Sequence, residues 1–131
     1  MHCAPPAVHS TDARRKSNWI LGDTALEIRP ISPADAGSWV TLLQSLSWAT
    51  RYLRGARRAE DLSPADIERA VSPVEPHELA LVAMARKDGH DSMAGVVRGL
   101  DRDGNWLFTL VVTDAWQRRG VGRRLMRVLI D

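Results

Sequence analysis

Asn105–Asp131 reads NWLFTLVVTDAWQRRGVGRRLMRVLID. An apolar run from Leu107 to Val112 passes through a polar elbow into the turn Gln117-Arg118-Arg119-Gly120-Val121-Gly122, and helical spacing follows. A helix that starts near Arg119 leaves its first four N–H groups without intrahelical acceptors and carries roughly +0.5 charge at that end. Gly120 and Gly122 lack a Cβ, so an anion such as phosphate can approach the backbone, with Arg118, Arg119, Arg123 and Arg124 around the rim. Beyond the turn, Val121, Leu125, Val128 and Leu129 recur at i, i+4, i+7 and i+8, which predicts one buried face with Arg123, Arg124 and Arg127 outside it.

Two familiar phosphate loops fail on spacing. A Walker loop requires Gly-Lys-Ser/Thr, whereas Gly122 is followed by Arg123-Arg124. A dinucleotide fingerprint requires a third Gly or Ala where this chain has Leu125.

Outward from this stretch, 131 residues with 44% hydrophobic content suit one domain. A net charge of +2 argues against a nucleic-acid binder, and the basic residues are clustered locally instead. The lone Cys3 rules out an internal disulfide and suits a reducing compartment. No apolar run approaches the about 20 residues of a membrane span, and no signal-peptide core is present, so a soluble cytoplasmic protein is expected. His2, His9, His77 and His90 have no metal-type spacing, and no metal is expected.

Residues 1–24 lack periodicity and read as a flexible tail, with the domain spanning 25–131. Leu26, Ile28 and Ile31 around Pro30 predict a first strand at a sheet edge. Ser32-Pro33, with Asp35 in the first turn, predicts a helix whose core face is Trp39, Leu42, Leu43 and Leu46. Residues 47–58 read as a shorter helical or irregular stretch. Ser63-Pro64 opens another helix through about Val71, ended by Ser72-Pro73. Glu78 to Arg86 is an apolar run suited to a buried strand, Asp88-Gly89 a turn, Ser92 to Leu100 a strand, and Asp101 to Gly104 a hairpin turn. The fold class is α/β in the α+β sense: strand, helices, a three-strand meander, then turn and helix.

Val111-Val112, Gln117, Gly120 and Gly122 together resemble the acetyl-CoA signature of the GNAT superfamily of N-acetyltransferases, a Gln/Arg-x-x-Gly-x-Gly/Ala turn directly after a hydrophobic strand. Thr50-Arg51-Tyr52-Leu53-Arg54 with Leu62-Ser63, and Asp114 with Trp116-Gln117, are similar to the GNAT domains of bacterial protein-lysine acetyltransferases. The resemblance implies acetyl-CoA held by the backbone of Val111, Val112 and Thr113 and by Gln117 to Arg124. It also implies acetyl transfer to a primary amine, first a protein lysine.

Compared with that family, the chain stops inside the helix, before a further strand, helix and closing strands. This suggests a truncated fold and an open edge beside Leu107 to Val112 where a second copy can pair. The family's glutamate base maps onto Leu107, which takes no proton, and its tyrosine acid lies beyond Asp131. Glu78 and Asp103 remain weak candidates for the base, and the resemblance puts an oxyanion donor on the backbone near Val111. A non-catalytic acyl-CoA-binding module is the alternative function.

Overall fold

The computed structural model describes residues 16–46 and 62–130. Five strands, β1 (Ser17–Leu21), β2 (Thr24–Pro30), β3 (Glu78–Lys87), β4 (His90–Arg102) and β5 (Asn105–Val112), form one antiparallel sheet in chain order. Helices α1 (Ala36–Gln44) and α2 (Pro64–Ala70) cover one face, and α3 (Val121–Ile130) covers the other.

Covering both faces explains the character of β3. Every residue from Leu79 to Ala85 is buried, and they alternate between two cores, so the strand reads as an unbroken apolar run. Leu79, Leu81, Ala83 and Ala85 join Leu26, Ile28 and Val97 under α3, whereas Ala80, Val82 and Met84 join Trp39, Leu42 and Leu43 under α1. Val121, Leu125 and Leu129 of α3 are wholly inaccessible. Burial of this kind contributes roughly 1.5–3 kcal/mol per side chain.

The hairpins follow from their turns. Asp88-Gly89 and Asp103-Gly104 have positive φ at both residues, the conformation of a two-residue turn whose twist matches the flanking strands. The second turn is tighter than expected, because Asp101 and Arg102 continue β4 and the Asp101 carboxylate accepts the Gly104 N–H at 2.9 Å.

Both expected helix starts are present. At α2, Ser63 Oγ accepts the Asp66 N–H (3.1 Å) while Asp66 accepts the Ser63 N–H (2.9 Å). Before α1, a 3₁₀ turn over Pro33–Asp35 carries the signal, and Asp35 Oδ2 accepts the Ser32 N–H at 2.8 Å. Asp35 also receives both guanidinium arms of Arg29, at 2.7 and 2.8 Å, which ties the entry of α1 to β2. Burial pushes the Asp35 carboxyl up, but the Arg29 and Ser32 hydrogen bonds outweigh it and hold the group below the ordinary carboxylate value.

Two expectations about the N-terminal part are corrected. Residues 17–24, assigned to a flexible tail, form β1 and the start of β2, with Leu21 paired to Thr24 across a Gly22-Asp23 turn. The second strand therefore lies inside the sheet between β1 and β3, not at its edge, which is why Leu26 and Ile28 are fully covered. The short apolar run Trp19-Ile20-Leu21 ending at a Gly22-Asp23 pair was the available signal. The first fifteen residues and residues 47–61 lie outside the described residues, and with them Cys3, His2, His9, Arg51, Tyr52, Arg54 and the helical reading of 47–58.

Candidate anion-binding turn and the strand before it

β5 ends at Val112, and the chain is then held by local bonds until α3 begins. Thr113 is buried and donates its N–H to the Ala94 carbonyl at 2.9 Å. Asp114–Trp116 forms a 3₁₀ turn, and Gln117 folds back so that its Nε2 donates to the Val112 carbonyl at 2.9 Å. The Gln117 side chain therefore clasps the turn to the strand, a role distinct from the ligand contact that the spacing suggested.

The helix starts at Val121, two residues later than the expected Arg119. Arg118 (φ 62°) and Gly120 (φ 85°) are both left-handed, and alternation of this kind makes successive N–H groups converge into an anion-binding concavity. The first backbone hydrogen bond into the helix runs from the Arg124 N–H to the Gly120 carbonyl at 3.1 Å. Among the described residues, the N–H groups of Arg118, Arg119, Gly120, Val121, Gly122 and Arg123 have no acceptor. They carry the positive end of the α3 dipole.

The two glycines have different jobs. Gly120 has open space around the position of a Cβ, and its left-handed backbone is what a side chain would strain. At Gly122 a Cβ would lie 3.0 Å from Leu110 Cδ2, so this glycine lets α3 pack against β5. Close helix–strand contact, and not phosphate approach alone, accounts for the second glycine.

The rim arginines also divide. The Arg119 guanidinium lies over the Trp116 ring at 4.3 Å, and that of Arg124 lies over Trp19 at 4.4 Å. Arg124 is thus held by β1, where it was expected to stand free. Such stacking fixes a cation's position without neutralising it. Arg118 and Arg123 are exposed. Trp19 escaped sequence reasoning because nothing local links it to a helix a hundred residues later.

The strand's hydrogen-bonding parity narrows the choice of backbone donor near Val111. Since the Thr113 N–H points to β4, so do those of Val111, Thr109 and Leu107 on the same antiparallel ladder. The Leu110 and Val112 backbones face the open side, where Gln117 meets the Val112 carbonyl. An acyl group beside β5 therefore meets the N–H of Leu110 or Val112, and Val111 turns away from it.

The candidate bases lie elsewhere. Asp103 sits at the exposed β4–β5 hairpin tip, roughly 25 Å along the strand from Val111. Glu78 starts β3 in register with Leu100, itself opposite Leu107, so it too belongs to the far end of β5. Its carboxylate accepts the Val74 N–H (2.9 Å) and Arg69 Nη2 (3.3 Å). Leu107, 54% exposed, and Glu78 border a cavity of about 560 Å³ between the sheet and α1–α2. The structure joins the turn residues into one site but brings neither carboxylate to it.

Comparison with known proteins agrees with the fold. The model of the acetyltransferase (GNAT) family matches residues 39–131. An acetyltransferase of Pseudomonas aeruginosa is 28% identical over 106 residues, covering 79% of this chain and 57% of the relative. The chain thus spans little over half the length of that curated relative. Among solved structures, the GNAT domain of S. lividans PAT superposes with a TM-score of 0.72 at 23% identity, over 90% of this chain and 71% of that one. An acetyltransferase of the GNAT family from Streptococcus pneumoniae gives 0.58 at 18% identity, over 78% and 63%.

Proposed function

The chain belongs to the GNAT acetyltransferase family, and from that premise we propose that it binds acetyl-CoA at the turn Gln117 to Arg124 and along Val111 to Thr113, and transfers the acetyl group to a primary amine, first a protein lysine. The observation that carries this reading is the row of six N–H groups from Arg118 to Arg123 without acceptors among the described residues, at a helix N-terminus entered through left-handed Arg118 and Gly120. A pyrophosphate offers the matching charge and oxygen spacing, and Arg119 and Arg124 are already held at the rim by aromatic rings.

Acetyl-CoA supplies a thioester. The amine nitrogen bonds to the carbonyl carbon, the carbon–sulfur bond breaks, the amine gives up a proton to a base, and the thiolate leaves to be protonated. The Leu110 or Val112 N–H is placed to meet the oxyanion. Isothermal titration with acetyl-CoA, followed by mass spectrometry of a lysine peptide, tests both halves. Micromolar-range binding and an acetylated peptide are expected, and a folded chain that does not bind acetyl-CoA would sink the reading.

One observation favours the second reading, a non-catalytic acyl-CoA module. Leu107 stands exposed where the resemblance places a glutamate, and Glu78 is engaged with Arg69 and Val74. Tight binding of acetyl-CoA without transfer to any amine would select it.

A further inference from the structure

The cavity at the far end of β5 contains a side chain that neither the fold nor the acetyl-CoA turn uses. Arg98 of β4 lies opposite Thr109 on the face covered by α1, its guanidinium 5.7 Å from the centre of the Trp39 ring. Its Nη2 is buried and has no hydrogen-bond partner among the described residues. The ring contact does not supply Nη2 with an acceptor, and an unmet buried donor is costly in a protein interior.

The carboxylates lining the same cavity have other work. Glu78 is held by Val74 and Arg69, and Asp66 caps α2 through Ser63. Glu78 reaches Arg98 only through its field, which opposes the downward push of burial on the guanidinium. An arginine stays charged in such a setting. The cavity of about 560 Å³ opens beside it, lined also by Leu107 and Thr109.

We propose that Arg98 is a specificity-determining residue that binds a carboxylate carried by the amine acceptor. This rests on the acetyl-transfer reading and names the acceptor's chemistry. Thr109, opposite Arg98, is one residue before Leu110 and three before Val112, the two donors that face the acyl side, a mean of about 7 Å along the strand. That distance matches the separation between a lysine ammonium and a carboxylate on the same or a neighbouring residue. The planar fork of Arg98 suits bidentate pairing, and its charge turns the ammonium end of the acceptor away toward the acyl site. The carboxylate comes from an acidic residue beside a target lysine or from the α-carboxylate of a free amino acid.

Two measurements on the full chain test this. Thermal unfolding with glutarate against its uncharged diamide is expected to show stabilisation by glutarate only, and loss of that difference in Arg98→Met. Equal shifts with both probes, or an undiminished glutarate shift in Arg98→Met, would overturn the proposal. Acetylation kinetics then compare Lys-Glu with Lys-Gln peptides, and lysine with lysine amide. The wild type is expected to show a KM lower by about tenfold or more for the charged member of one pair, as a charge-assisted hydrogen bond predicts. The pair that responds identifies the source of the carboxylate, and ratios near one in both pairs refute the assignment. If Arg98→Met does not fold, Arg98→Lys and the wild-type ratios still decide. Titration of the wild type with acetyl-CoA separates failure of the acetyl-transfer reading from failure of this one.

Discussion

The two ends of β5, each a proposed ligand site, are built by different means. At the C-terminal end, the proposed acetyl-CoA site is built from backbone: N–H groups of the turn, the parity of Leu110 and Val112, and a helix dipole. At the N-terminal end, the proposed acceptor site is built from side chains of five elements, with Trp39, Asp66, Glu78, Arg98 and Thr109 around one cavity. The first kind tolerates variation in side chains as long as the conformation survives. The second depends on identity at each position, so the end proposed for the acetyl donor is expected to be the more generic and the end proposed for the acceptor the more individual.

That contrast is open to direct attack, most forcefully at Gly120. Gly120→Asp puts a Cβ on a backbone at φ 85° and a negative charge at the helix start. Calorimetry is expected to show acetyl-CoA affinity falling at least about 100-fold, near 3 kcal/mol. Affinity within threefold of wild type would move the pyrophosphate away from this turn.

A smaller effect, on the other end only, is expected from Asp35→Asn, which breaks the tie between Arg29 and the entry to α1, the helix that brings Trp39 over Arg98. Stability should fall by about 2 kcal/mol, with acetyl-CoA affinity changed less than twofold. The folded pKa of Asp35 is depressed, so its contribution is complete above the unfolded value and lost as pH falls below about 4. Unfolding midpoints of wild type and variant should therefore converge in acid, and parallel curves down to the acid limit would refute the linkage.

The smallest effect belongs to Gln117→Ala, which removes the clasp on the Val112 carbonyl. A loss of about 0.5–1 kcal/mol in stability and roughly threefold in acetyl-CoA affinity is expected, since the bond is exposed. A hundredfold loss of affinity would mean that the side chain itself contacts the ligand.

The legibility of these regions follows their construction. Gln117, Gly120 and Gly122 were readable because backbone conformation is set by neighbours a few residues away. The Ser32-Pro33 and Ser63-Pro64 caps and the Asp-Gly hairpins were readable for the same reason. Within that readable region the packing of Gly122 on Leu110 and the direction of the Val111 N–H were not readable, because both depend on β4, β5 and α3 together.

The amino-acid sequence by itself determined the strand, turn and helix from Leu107 to Ile130, the starts of α1 and α2, and the family. Local dihedral preferences and the period of apolar residues suffice for these. Only the tertiary structure decided that residues 17–21 edge the sheet, that Trp19 carries Arg124, and that half-buried Arg98 lies by Trp39 with its Nη2 unmet among the described residues. An arginine's chemistry is set by the partners and solvent around it, and those are supplied by elements distant in sequence, here α1 some sixty residues before β4.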